Sequence, residues 1–247
     1  MIRPSIEALK VESQEISFFT PPVQKENHFS FISILRNSCM YFHVVKKYNS
    51  YLMKSKSNYH LIIREIFNVY LSRKRYLDYK RKVGVIHEIS LKHLRSWQFL
   101  IDQDFDYLLV FESDSEIKDL KKLSTTLVSG INFLDNNINT LFLLGEGFSF
   151  EKLGIENLPI LTQEGLHVVD LGITNTLFAY MIHRDAARLI VREINSIPSD
   201  IPFISFDWLV NLSFINLKEK NLKFKTLISS NNVVNHGSRL GRNPSWQ

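Results

Sequence analysis

Apolar runs of strand length alternate with helix-periodic segments along this chain, and few folds accommodate that alternation. FSFISIL (29–35), YLLVF (107–111), NTLFLLGEG (139–147), HVVDLG (167–172) and the start of LFAYMIHRDAARLIVREI (177–194) are short and rich in β-branched or aromatic residues. Between them, apolar residues recur three and four apart. HLIIREIFNVYLSRKRYLDYKRK (60–82) gathers Leu61, Ile62, Ile66, Val69 and Tyr70 on one side, and LKHLRSWQFLID (91–102) stripes Leu94, Trp97 and Ile101. Another helix is expected around Ile117 to Ile131. Strands alternating with helices predict an α/β domain whose mostly parallel sheet is flanked by helices. Residues 1–28, with the Pro21–Pro22 pair and a QKEN run, read as a lead-in. No repeat or long linker divides 29–247, which reads as a single domain.

In open α/β sheets, ligands bind beyond the carboxyl ends of the strands. YLLVF runs straight into Glu112, Ser113 and Asp114. If the backbone stays extended there, alternate residues face one way, so both carboxylates converge while Ser113 turns aside. Convergent carboxylates suit a hard divalent cation, Mn2+ or Mg2+, which can also hold a diphosphate and neutralise charge on a departing nucleotide. The plain structural alternative is that Asp114 and Ser115 cap the next helix.

A formal charge of +5 and a pI near 9.2 favour anionic partners. With 45% apolar and 22% charged residues, wholesale disorder is excluded. The single cysteine, Cys39, rules out an internal disulfide framework and any all-Cys metal site. No stretch reaches the roughly 18–20 apolar residues of a membrane span. The opening MIRPSIEALKVESQE lacks the apolar core of a secretory signal. A cytoplasmic location is expected, with any membrane contact peripheral. The basic run SRKRYLDYKRK (72–82) could meet an acidic membrane surface or a nucleic-acid backbone. A non-enzymatic binding protein using that helix is the rival to an enzyme. A solvated helix face is the usual fate of such a run.

The stretch GVIHEISLKHLRSWQFLIDQDFDYLLVFESDSEI resembles the signature region of glycosyltransferase family 25, which includes lipooligosaccharide and procollagen galactosyltransferases. His93 and Trp97 keep that family's H-x-x-x-W spacing, and Glu112-Ser113-Asp114 keeps the outer acids of its Glu-Asp-Asp triplet. Fainter likenesses are FLLGEG, LFAYMIHRDAARLI, FISFDWLV and the opening strand FISILRNS with Arg36. Lys92 replaces the Ser before the family's His, and Ser113 replaces its central acid.

The resemblance implies a GT-A-like (Rossmann-like) fold and transfer of a hexose, galactose first, from a nucleotide diphosphate sugar such as a UDP-hexose. The acceptor would be a hydroxyl of a bacterial surface glycan (lipooligosaccharide, O-antigen, capsule or a lipid-linked saccharide), with inversion and no nucleic acid involved. Asp114 would be the best metal ligand, with Glu112 assisting, and His93 and Arg36 would lie near the donor. Inversion needs a general base at the acceptor hydroxyl. Asp207 is the choice and Asp170 the reserve, although Asp207 could equally cap the helix before WLVNL. In SNNVVNHGSRLGRNPSW (230–246), His236 is a candidate third ligand, with Gly237, Ser238 and Arg239 as donor contacts. A surface histidine in a polar loop is the alternative, as is a core histidine for His93. His28, His43, His60, His87, His167 and His183 show no ligand spacing.

Overall fold

The computed structural model describes residue 47 and residues 73–103, 105–145, 165–174, 177–197, 205–229 and 233–236; over 73–83 the description is of backbone alone. The expected strand 29–35, Arg36, residues 60–72 of the helix expected at 60–82, and the tail residues Gly237, Ser238 and Arg239 lie outside this set.

The described chain runs α1 (Arg73–Asp102), β1 (Tyr107–Phe111), β2 (Ser115–Ile117), α2 (Leu120–Asn136), β3 (Thr140–Leu143), β4 (Leu166–Val169), β5 (Ala179–His183), α3 (Arg184–Ser196), α4 (Phe206–Glu219), β6 (Lys225–Ser229) and β7 (Val234–His236). The helix expected at 91–102 is the end of the 30-residue α1, which also takes in 73–82. β5 passes directly into α3, as expected from a segment with no proline, and the His183 ring caps the first turn by accepting from the Asp185 N–H.

β1, β5, β3, β6 and β4 form one open sheet in that order. The expected mostly parallel, GT-A-like sheet is not what forms. β1–β5, β5–β3 and β6–β4 are antiparallel, and only β3–β6 is parallel. The physical cause lies in the connections. β3 is buried on both faces, which central strands of either orientation share. β4 enters from the end of the sheet where β3 finishes, since Leu166 pairs with Ser229 and Leu143 with Ile228. From β4 the described residues 170–174 cross back against β6. There the Ile173 N–H donates to the Thr226 hydroxyl, which donates to the Leu171 or Ile173 carbonyl. Only nine residues (170–178) separate β4 from β5, too few for the helical crossover that a parallel neighbour requires.

The pleat divides the core in two. Leu141, Leu143, Tyr180 and Ile182 face α1, α3 and α4, packing with Trp97, Leu100, Ile190 and Phe214. Phe142, Leu144 and Met181 face α2 with Leu123 and Leu134. Each such fully buried side chain contributes about 1.5–3 kcal/mol relative to exposure. The C-terminal ends of β1, β3 and β6 reach the same edge, where β2 and β7 form a separate antiparallel ribbon. Among the described residues, no helix is long and apolar enough to cross a membrane.

Candidate metal centre

The acids after β1 do converge, though by a different route from simple strand alternation. Ser115 N–H donates to the Glu112 carbonyl at 2.9 Å, closing a four-residue turn with Ser113 and Asp114 at its centre. The Phe178 carbonyl clamps both ends of this turn, accepting from the Glu112 N–H at 2.7 Å and the Ser115 hydroxyl at 2.9 Å. The chain then enters β2. This places Asp114 away from the helix cap expected as its alternative role. The α2 cap is Asp119, whose side chain accepts from the Lys122 N–H at 3.0 Å.

β2 pairs with β7, setting Ser115 opposite His236. The His236 Nδ1 atom comes within 3.4 Å of Asp114 Oδ2, and the ring stands edge-on to Phe178. Glu112, Asp114 and His236 thereby offer three ligand atoms within 4.8 Å of one another. Their side chains are 28%, 25% and 16% exposed, so none is sealed from solvent. Two donors bonded to one cation at about 2.1 Å are at most about 4.2 Å apart, so small side-chain rotations close the set. Three ligands leave coordination positions for water or substrate. The arrangement is compatible with divalent metal coordination.

Behind Glu112 the site is closed by aromatic residues. Glu112 Oε1 lies 3.0 Å from His93 Nε2, and His93 Nδ1 lies 2.9 Å from the Tyr180 hydroxyl. The same hydroxyl accepts from Trp97 Nε1 at 2.7 Å. His93 and Trp97 share a helix face because they are four residues apart. The His93 ring stacks on Phe206 at 4.8 Å with planes 6° apart. His93 is therefore buried and hydrogen-bonded beside the acids, not within the ligand set. Tyr180 was not legible as a site residue; the available signal was a hydroxyl inside a buried strand, which needs a partner.

Asp207 stands in the first turn of α4, whose cap position is Ser205. Its Oδ1 accepts from the Leu177 N–H at 2.8 Å and the Thr174 hydroxyl at 3.4 Å, so it ties down the segment entering β5 instead of capping its own helix. Burial raises its pKa to about 6, with the Glu112 charge adding to the rise; His93, the Leu177 N–H and the Thr174 hydroxyl oppose it. Asp170 lies at the opposite edge of the sheet, 86% exposed and 3.8 Å from Lys225. The structure thus brings Glu112, Asp114, His236 and His93 together, couples Asp207 to them electrostatically, and leaves Asp170 apart.

No protein-family model matches this chain, and no curated protein matches its sequence.

Proposed function

We propose that the protein is a metal-dependent glycosyltransferase that moves a hexose, galactose first among candidates, from a nucleotide diphosphate sugar to a hydroxyl of a bacterial surface glycan. The observation that carries this reading is the convergence of Glu112, Asp114 and His236 within 4.8 Å at one edge of the sheet. Mn2+ fits this donor set better than Mg2+, because one ligand is an imidazole and Mg2+ prefers oxygen alone. A bound cation would supply charge neutralisation at the diphosphate leaving group.

The chain's own residues supply the rest. Glu112 and Asp114 bring negative charge to the ligand set, and His236 adds a neutral donor. Asp207 is the candidate base, since a carboxyl with a pKa near 6 is ionised at neutral pH yet more basic than an ordinary one. It would take the acceptor hydroxyl proton as that oxygen attacks the anomeric carbon from the side opposite the diphosphate, with inversion. The H-x-x-x-W spacing at His93 and Trp97 and the acids at 112 and 114 support the sugar-transfer class over other metal-assisted reactions.

The test is a panel of UDP-galactose, UDP-glucose and UDP-N-acetylhexosamines measured by calorimetry with and without Mn2+. Binding that requires Mn2+ and disappears in Asp114→Ala supports the proposal. Tight metal-independent binding, or binding of none of the donors by protein that does bind Mn2+, overturns it.

A further inference from the structure

Glu112 terminates a buried chain of hydrogen bonds whose direction can be read from chemistry. The Trp97 indole nitrogen can only donate, and it donates to the Tyr180 oxygen at 2.7 Å. Tyr180 is 0% exposed, and its hydroxyl has one proton to give. The acceptor within reach is His93 Nδ1 at 2.9 Å. A proton on Nδ1 instead would aim a second donor at the phenol oxygen and turn the phenolic hydrogen away from both neighbours. With Nδ1 accepting, the ring hydrogen belongs on Nε2, which faces Glu112 Oε1 at 3.0 Å. The order is Trp97 to Tyr180 to His93 to Glu112.

Three elements build this chain. His93 and Trp97 come from one face of α1, Tyr180 from the second position of β5, and Glu112 from the turn after β1. Phe206 of α4 fixes the imidazole plane by stacking on it. The spacing between His93 and Trp97 therefore has a mechanical meaning: one helical turn separates two nitrogens that meet at the same hydroxyl. A carboxylate has about four acceptor sites, so the one held by His93 leaves others for a cation.

We propose that Trp97, Tyr180 and His93 are positioning residues that preset Glu112 as a metal ligand. By anchoring one oxygen and fixing the imidazole tautomer, they orient the rest of the carboxylate toward Asp114 and His236 before an ion arrives. This inference rests on the metal reading of the three-residue cluster. Partners that orient a ligand in this way typically contribute 10–100-fold to metal affinity.

The experiment is Mn2+ titration of the full chain by calorimetry in wild type, Tyr180→Phe and His93→Phe, with Ile190→Val as a destabilised control. Ile190 is fully buried on α3 and belongs to no part of this network. Expected are a 10–100-fold weaker Kd in both network variants and a Kd within about twofold of wild type in the control. Nitrogen spectra of the metal-free wild type should show His93 protonated on Nε2, and Tyr180→Phe should lose that single tautomer. Wild-type Kd values in both network variants overturn the positioning role while leaving the metal site standing. Absence of Mn2+ binding by the wild type overturns both. If the variants fail to fold, the wild-type spectrum decides: an Nδ1-protonated His93 sinks the proposal.

Discussion

Ser115 sits directly across the β2–β7 ribbon from His236. That pairing delivers an imidazole from near the end of the chain to an acid that follows β1. The ribbon is short, and it is held on its far side by the Lys118 N–H donating to the Val233 carbonyl at 3.0 Å. The candidate metal centre therefore depends on a small piece of sheet keeping its register.

Metal should stabilise the folded protein. Glu112, Asp114 and His236 converge only in the folded chain, and an ion that binds only the folded state stabilises it by mass action, about 2.7 kcal/mol at 100 times its Kd. Thermal unfolding should show a rise of several degrees with excess Mn2+, reversed by a chelator. In Asp114→Asn the rise should vanish, while the metal-free melting temperature stays within a few degrees of wild type because Asp114 is a partly exposed turn residue.

Gly145 and Gly130 should separate damage to the ribbon from damage to the core. A Cβ at Gly145 would meet the buried Phe178 ring and lie 2.5 Å from the Val234 carbonyl oxygen. Alanine must therefore displace Phe178, whose carbonyl clamps the acid turn, the β7 backbone that carries His236, or both. A Cβ at Gly130 would meet the buried Phe142 ring, 2.6 Å from its Cδ1 atom. Both alanine variants should lose about 1–3 kcal/mol in denaturant unfolding. Only Gly145→Ala should also weaken Mn2+ binding, and equal Kd values for the two would show that strain at this edge does not reach the ligand set.

Asp207 should set the acid side of the pH profile. Its pKa of about 6 means that the carboxylate needed as base is half lost there, and kcat/KM should fall about tenfold per pH unit further down. A cation nearby favours the ionised form, so the limb should move to lower pH in the metal-saturated protein. The stability effect has the opposite sign from that of an ordinary salt-bridged acid. A folded-state pKa raised from 3.8 to about 6 costs roughly 3 kcal/mol at neutral pH, and the cost disappears as pH falls from about 6 towards 4. Asp207→Asn should therefore be inactive yet more stable than wild type at pH 7–8, with the gap closing near pH 4. An unchanged gap across that range would show that the carboxyl is not strained by burial.

Away from the site, Glu193 on α3 is almost fully buried and accepts twice from Lys220 Nζ, at 2.6 and 2.8 Å. Removing the lysine leaves a buried charge without its partner, which is worse than removing the charge. Lys220→Met should lose about 2–4 kcal/mol in urea unfolding, the upper end being limited by the half-exposed lysine. Glu193→Gln should lose less.

The local elements were legible because their signals are local. YLLVF, LHVV and AYMIH are strands, LKHLRSWQFLID is helical, and the candidate ligands Glu112, Asp114 and His236 could be singled out from residue type and placement. Strand direction was not legible. Apolar alternation reports which residues are buried, and a centrally buried strand reads alike in parallel and antiparallel sheets. The direction of β5 goes with the short stretch after β4, where Leu171 and Ile173 are bonded to Thr226 and no room is left for a helical crossover.

The means of convergence was equally hidden. Residue spacing placed two acids close in the chain, but the Glu112–Ser115 turn and the Phe178 carbonyl clamp, not an extended strand, orient them. Tyr180 looked like one more core aromatic until the packing of α1 on β5 brought two nitrogens to its hydroxyl. Sequence alone thus singled out Glu112, Asp114 and His236 as candidate ligands and marked the buried segments, since both depend on side-chain type and short-range periodicity. Tertiary structure alone decided the strand directions, the strand order and the meeting of His236 with Asp114, because those depend on backbone hydrogen bonds between segments far apart in the chain.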